Sequence, residues 1–245
     1  MASPMRTPAG FTQAAPYQPL NGIGIPDPFF YASAHDDFLP YTAGNYTVTA
    51  ASGSVAQNTA NGTGGRILLT TGATIGNFAE IQGVAGFNYT VGKRLAFLTR
   101  VQLADIVNSA MIVGLVEATA TPFTAITDGI YFTKASAGST LELIAVAGST
   151  VLGTASITGA FTAAQDIDLG FYVDSQGNIR GFYGNNLEGF KNQNQAILGP
   201  NISILNTSLS GALSTANLAA TVAVSASTAV AQTMVSDFLF AAQER

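Results

Sequence analysis

Three places in this sequence bring together side chains that could act on a substrate or hold an ion. The single histidine, His35, stands beside Asp36 and Asp37. A His–Asp pair can orient a general base. The chain has no cysteine, however, and no serine sits in a G-x-S-x-G setting, so the pair lacks the nucleophile it would serve. Hydrogen bonding within a loop accounts for the trio. Asp166, Asp168 and Asp174 fall on one face of a strand pattern. Calcium takes oxygen ligands at about 2.3–2.6 Å, and alternate strand residues point the same way, so Asp166 and Asp168 could share an ion. A solvated polar face is the simpler reading. The following segment, DSQGN, is shorter than an EF-hand loop and lacks its ligand spacing. Gly62, Gly64 and Gly65 look like a phosphate-cradling loop, but no Lys-Ser/Thr follows them, which leaves a turn. Asn45, Asn61, Asn88 and Asn206 each open an Asn-x-Ser/Thr triplet. In a chain this rich in Asn and Thr, those triplets are read as chance.

The element that must position the aspartates is the stretch from Gln165 to Asn186. Ile167, Leu169, Phe171 and Val173 take one face of a strand; Asp166, Asp168, Tyr172 and Asp174 take the other. That period of two marks a half-buried strand. Ser175, Gln176, Gly177 and Asn178 then turn the chain, and Ile179 to Tyr183 return it, which predicts a β-hairpin.

The rest of the chain follows the same rule. Strands are predicted over 45–50, 66–71, 77–82, 93–103, 110–117, 129–133, 140–146 and 151–158, then near 202–205, 219–225 and 233–241. In the long one, Leu95, Phe97, Thr99, Val101 and Leu103 share a face, with Arg94, Arg100 and Gln102 on the other. Ala212 to Ala220 could pass for a short helix, but its Ser, Thr and Asn weaken that reading. Many short strands with closely spaced turn signals mean a sandwich or barrel. Ahead of them, Pro4, Pro8, Pro16, Pro19, Pro26 and Pro28 break any regular element. Phe11, Tyr17, Leu20, Phe29, Phe30 and Tyr31 are interleaved with these prolines. An extended arm over 1–34, whose aromatics dock on something, is the expected outcome, with the sandwich occupying 35–245.

Composition narrows the function classes. Only 9% of residues are charged, against roughly 25% in ordinary globular proteins. Apolar content is 47%, so the chain should fold rather than stay disordered. A free monomer normally carries more charge, which suggests a surface covered by partners. Two stretches, 38–65 and 192–236, hold no Asp, Glu, Lys or Arg at all. Interface cores are depleted of charge, so both are expected to be buried, inside the domain or against neighbouring subunits. The net charge is −5 and no basic run exists, which argues against a nucleic-acid partner. The N-terminus has no apolar signal region and the longest apolar run is too short to span a bilayer. A protein made in the cytoplasm and not anchored in a membrane is expected.

Four pieces in order carry a family resemblance: DDF at Asp36–Phe38, DGIYF at Asp128–Phe132, LGFYVDSQGNIRGFYGNN at Leu169–Asn186 and SDFLFAAQER at Ser236–Arg245. Together they resemble the concanavalin A-like or laminin G-like jelly-roll sandwich of tailed-phage virion proteins. The resemblance implies an all-β, antiparallel jelly-roll sandwich in which the penultimate hairpin packs opposite the last strand. It departs from the glycosidases of this fold, which share an E-x-D-x-x-E strand absent here, and from lectin members with a Trp platform, since the chain has no Trp.

The expected function is therefore non-enzymatic, with no cofactor. The resemblance implies a structural protein of a phage particle, a capsid decoration or cement protein. Its partners would be the major capsid protein and further copies of itself in a symmetric homo-oligomer, with no nucleic acid and no membrane. The candidate contacts are the arm residues Phe11, Tyr17, Leu20, Phe29, Phe30 and Tyr31. The alternative is a carbohydrate-binding head-fibre or tail adhesin, which would show a groove lined by aromatics and Asn/Asp at one end of the sandwich.

Overall fold

The computed structural model describes residues 31–39, 41–58, 65–124, 126–184 and 202–245. Among these the chain forms β1 (Tyr31–Asp36), β2 (Thr47–Ala50), β3 (Ser54–Gln57), β4 (Ile67–Thr70), β5 (Phe78–Gln82), β6 (Leu95–Leu103), β7 (Ser109–Glu117) and β8 (Gly129–Lys134). It continues with β9 (Leu141–Ala147), β10 (Thr150–Ile157), β11 (Asp166–Val173), β12 (Ile179–Gly184), β13 (Ile202–Ile204), β14 (Leu218–Ala226) and β15 (Thr233–Glu244). Two 3-10 turns, Ala43–Asn45 and Asn206–Ser208, are the only helical pieces among the described residues.

The strands build two antiparallel sheets. Sheet A runs β13-β12-β11-β6-β15-β4-β3, and β1 lies against the C-terminal half of β15. Sheet B runs β10-β9-β8-β7-β14-β5-β2. The inner faces meet in one core. Phe97 of β6 stacks on Phe171 of β11 with ring centroids 5.6 Å apart, and Phe132 of β8 meets Phe171 from the facing sheet at 6.3 Å. All three rings are fully buried. The architecture is an all-β sandwich, one of the two outcomes that the strand pattern predicts, and the one that the family resemblance implies.

The hairpin folds as its sequence directs. Val173 pairs with Ile179 and Asp168 with Gly184. Asp174 opens the turn, its carboxylate accepting the backbone N–H groups of Gln176 and Asn178 at 2.9 Å each. Gly177 then takes φ +83°, which glycine adopts without strain. The hairpin's place differs from the expectation. It lies in the same sheet as β15, with β6 between them, because β11 pairs with β6 over its whole length.

Two further departures have plain causes. Among the described residues the first strand runs over Tyr31–Asp36, so the expected boundary at 34/35 falls inside β1. The twelve-residue β15 has an open edge beyond β4, and β1 fills it from Tyr31↔Glu244 to Asp36↔Leu239. The stretch 212–220 is no helix: from Leu218 onward it is β14, wedged between β7 and β5 with all nine residues buried. Small Ala, Thr and Val side chains suit that central position.

Charge depletion thus has two meanings. Within 192–236 it includes β14, buried inside the domain, whereas the described residues 205–212, 214–217 and 227–231 are exposed or half-exposed. Over 38–65 it covers β2 and β3, the neighbouring edges of sheets B and A, where most residues are exposed or half-exposed.

The loop from β6 to β7 is closed by an internal cation. Lys134 is fully buried, and its ammonium donates to the carbonyl oxygens of Ser109 at 2.8 Å, Ala135 at 3.0 Å and Ile106. Burial pushes its pKa down to about 8, against the opposing pull of Asp105.

Candidate interaction surface

The outer face of sheet A gathers the polar residues singled out in the hairpin. Cross-strand register sets Asp168 opposite Arg100, and Asp166 opposite Gln102. Arg100 Nε reaches Asp168 Oδ1 at 2.8 Å, and Arg66, just ahead of β4, reaches Asp166 Oδ2 at 2.8 Å. Asp237 lies between the two arginines, 3.6 Å from each. It sits in a bulge of β15, where the register shifts between Ser236 and Phe238. A bulge re-aims one side chain, and here it brings Asp237 into a five-member Arg/Asp network crossing β4, β15, β6 and β11.

Burial decides the electrostatics. Asp168 is nearly closed to water, and this desolvation raises its pKa; the hydrogen bond and charge of Arg100 oppose the rise without cancelling it. The hydrogen bond to Asp166 raises the pKa of Arg66, with desolvation opposing. The expected solvated polar face is therefore an ion-pair lattice. Asp166 and Asp168 share a face but spend their oxygens on guanidinium groups, and Asp174 turns away into its own loop. Among the described residues no group of three His, Asp or Glu could hold a metal ion. Adding millimolar calcium should shift the melting temperature by less than about 1 °C, since a ligand stabilises only through a native-state site. A calcium-dependent rise in a thermal scan would overturn this assignment.

Beside the network lies an apolar band. Leu98 pairs with Gly170 and Phe240, and Gly170 pairs with Phe182, so one row runs across β12, β11, β6 and β15. The Phe182 ring comes close over Gly170, where an added Cβ would stand 2.3 Å from Cζ. Tyr31, Tyr172 and Phe238 pack on the margins. Of the predicted arm contacts, Tyr31 thus sits on the margin of this band; Phe11, Tyr17, Leu20, Phe29 and Phe30 lie outside the described residues.

His35 stands at the end of that row, its ring 6.4 Å from Phe240. Burial lowers its pKa, and Asp37 and Asp36 only partly oppose this. The Asp36 carboxylate instead accepts the Phe38 N–H at 2.6 Å and the Tyr46 hydroxyl. Burial, then that hydrogen bond, raises the Tyr46 pKa. Tyr46 stacks on Tyr41 with centroids 6.0 Å apart, and Gln57 accepts the Tyr41 N–H at 3.0 Å. Aromatic rings, two aspartates and an amide therefore meet at this edge of the sandwich, close to the neutral β3. The glycine loop at 62–64 lies outside the described residues.

No family model matches this chain, and no curated protein matches it. Solved structures do. A protein of unknown function from Shewanella oneidensis MR-1 aligns with TM-score 0.61 at 11% identity, covering 88% of this chain and 87% of the other. The lectin-like defence protein arcelin-5 of Phaseolus vulgaris aligns with TM-score 0.56 at 7% identity, over 88% and 100%. The carbohydrate recognition domain of Emp47p aligns with TM-score 0.57 at 10% identity, over 87% and 97%. At such identities the likeness is one of fold: the chain is a concanavalin A-like, legume-lectin-like jelly-roll sandwich.

Proposed function

We propose that this chain is a non-enzymatic structural protein of a tailed-phage particle, a decoration protein that attaches through its uncharged edge. One observation carries the reading. β2 and β3 are edge strands, and edge strands ordinarily carry charge against unwanted pairing. These have none between 38 and 65, and Val48 is 39% exposed. A neutral double edge with no further strand on it among the described residues is suited to strand-to-strand contact with a capsid subunit or a further copy of the chain. Repetition over a symmetric shell then makes weak contacts lasting.

The test is quantitative mass spectrometry of the particles produced by the element that encodes the chain. Many copies per particle are expected, and absence from particles would overturn the reading. Replacing exposed Thr47 and Ala56 with lysine should leave the fold intact and cut particle attachment at least about tenfold, since charge on an edge blocks pairing. Unchanged attachment would move the interface elsewhere.

A second reading, carbohydrate binding, is supported by the Tyr41–Tyr46 stack beside Asp36, Asp37 and Gln57, and by neighbours whose own titles name a lectin or a carbohydrate recognition domain. It calls for glycan-array binding that Tyr46→Ala abolishes, and for few copies per particle.

A further inference from the structure

We infer that β10, the edge strand of sheet B beside β9, pairs antiparallel with β10 of a second copy of the chain about a two-fold axis. This edge lies at the opposite end of the sheet from β2, so the inference does not depend on the attachment proposed above. Edge strands are ordinarily kept short or guarded by charge, proline or a bulge. β10 runs over eight residues, against four in β2 and in β3 and three in β13. From Leu143 to Gln165 the chain has no Asp, Glu, Lys, Arg or Pro. One guard exists, and it covers one end only. The register shifts between Val151 and Gly153. There Ser210 closes the edge, its N–H donating to the Leu152 carbonyl at 2.9 Å and its hydroxyl to the Val151 carbonyl at 3.4 Å. From Thr154 to Ile157, among the described residues, nothing but β9 pairs with the strand.

The side chains suit a partner identical to this strand. Ala155 and Ile157 pack toward the core, so Thr154 and Ser156 face outward, where they are exposed. A two-fold axis lays that row against itself, so hydroxyl groups meet hydroxyl groups and no like charges stand opposite each other. Glu142, across from Ser156 on β9, is set one strand back from the edge. Val151 is 55% exposed and Leu205 52% exposed. Both flank the edge, since Ile204 comes within 2.7 Å of where a Cβ on Gly153 would stand. They add apolar area to the backbone pairing. The other contact open to a second copy, β10 against β2, is weaker. Every neighbour in sheet B is antiparallel, so its seven strands alternate, and β10 and β2 run the same way. Repeating the molecule by translation along the sheet would make a parallel pair, which is slightly less stable per residue, over only the four residues of β2. A two-fold makes the antiparallel pair and closes at two copies.

Analytical ultracentrifugation of the full-length protein should show a dimer at micromolar concentration. Thr154→Lys combined with Ser156→Lys should weaken that dimer at least about tenfold, because charge on an edge and like charges across a pair both oppose pairing. The melting temperature of the dilute, monomeric protein should not change, since both positions are exposed. A monomeric parent, or a lysine variant that stays dimeric, would overturn the inference. Thr47→Lys with Ala56→Lys, on the other edge, should leave the dimer intact; its loss there would put the self-contact on β2 and β3 instead. The symmetry is read separately. The chain has no cysteine, so Thr154→Cys, Ala155→Cys and Ser156→Cys each carry a single thiol. Near a two-fold axis a residue meets its own copy, so under mild oxidation at least one of the three should form disulfide dimers at least about tenfold faster than Val84→Cys, as a raised effective concentration requires. Val84, 81% exposed in the loop between β5 and β6, supplies the rate of random collision. Rates no faster than that for all three would rule out two-fold pairing through β10.

Discussion

Glu80→Gln is expected to flatten the dependence of stability on pH, whereas the parent protein should lose stability steadily from about pH 5 to about pH 8. Glu80 lies in the middle of β5, on the outer face of sheet B, and is fully closed to water. Its cross-strand partners are Thr49 and Ala223, and its same-face neighbours on β5 are Phe78 and Gln82, none of them ionisable. Phe123, from the β7–β8 loop, packs 6.3 Å from Phe78. Both carboxylate oxygens are buried with no hydrogen-bond partner among the described residues. A charge there has neither water nor a counter-ion, so burial pushes the Glu80 pKa up from 4.5 to about 8.

The sign follows from linkage. Below 4.5 the carboxyl is protonated in both states and the native protein has its full stability. As pH rises toward 8 the unfolded chain releases this proton and the native state does not. Stability therefore falls by about 1.4 kcal/mol per pH unit, roughly 5 kcal/mol in all, and the loss is complete once pH passes the folded value. Lys134 acts with the opposite sign: its pKa is depressed to about 8, so the stability it brings is present above 10.5 and is lost as pH falls through 8. The two groups together place a stability minimum near pH 8. Urea unfolding across this range, for the parent and Glu80→Gln, is the measurement. Parallel profiles would show that Glu80 is hydrated or paired in the native state.

Glu80 was not legible in the sequence. In FAEIQ the polar positions alternate with Ala79 and Ile81, as they would on a solvated face. Only the fold reveals that this outer face is closed near Phe123. The hairpin was legible save for Asp174, which opens the turn instead of joining the strand face: Gly177 and Asn178 mark the turn, and period-two alternation fixes which face is inward. The edge strands were harder. SVAQ of β3 is four residues long with one large apolar side chain, and YASAHD of β1 has no alternation; β1 exists because β15 offers an edge to it. The apolar band could not be read from any single strand. Leu98, Phe182 and Phe240 come from three distant segments; Leu98 and Phe182 are flanked on their own strand faces by small or charged residues, Phe240 by Phe238 and Ala242, and only register brings the three into one row. The same holds for the Arg/Asp network, whose bulged member, Asp237, carries no local signal of a bulge.

The second large effect belongs to Phe171. Replacing it with alanine should cost about 3–5 kcal/mol, the range for removing a large buried aromatic. Phe171 is fully buried, and its ring bridges the two sheets, stacking on Phe97 within sheet A and meeting Phe132 across the core. These three residues come from β11, β6 and β8, so little backbone can move inward to fill the space. The backbone around the site is fixed on both sides, since Phe171 pairs with Phe97 on one edge and Gly181 on the other. The cavity would therefore stay largely open, which puts the cost above that of transfer alone. For a domain of this size the melting temperature should fall by about 10 °C. Phe171→Leu keeps most of the volume and should cost under about 1.5 kcal/mol, because hydrophobic replacements of similar volume are tolerated best. Tyr172→Ala, on the opposite face, should fall well short of Phe171→Ala, since that ring is only half-buried. Equilibrium urea unfolding of the three variants decides the matter. A loss below about 1 kcal/mol for Phe171→Ala, or a larger loss for Tyr172→Ala, would mean that β11 faces the core with its other side.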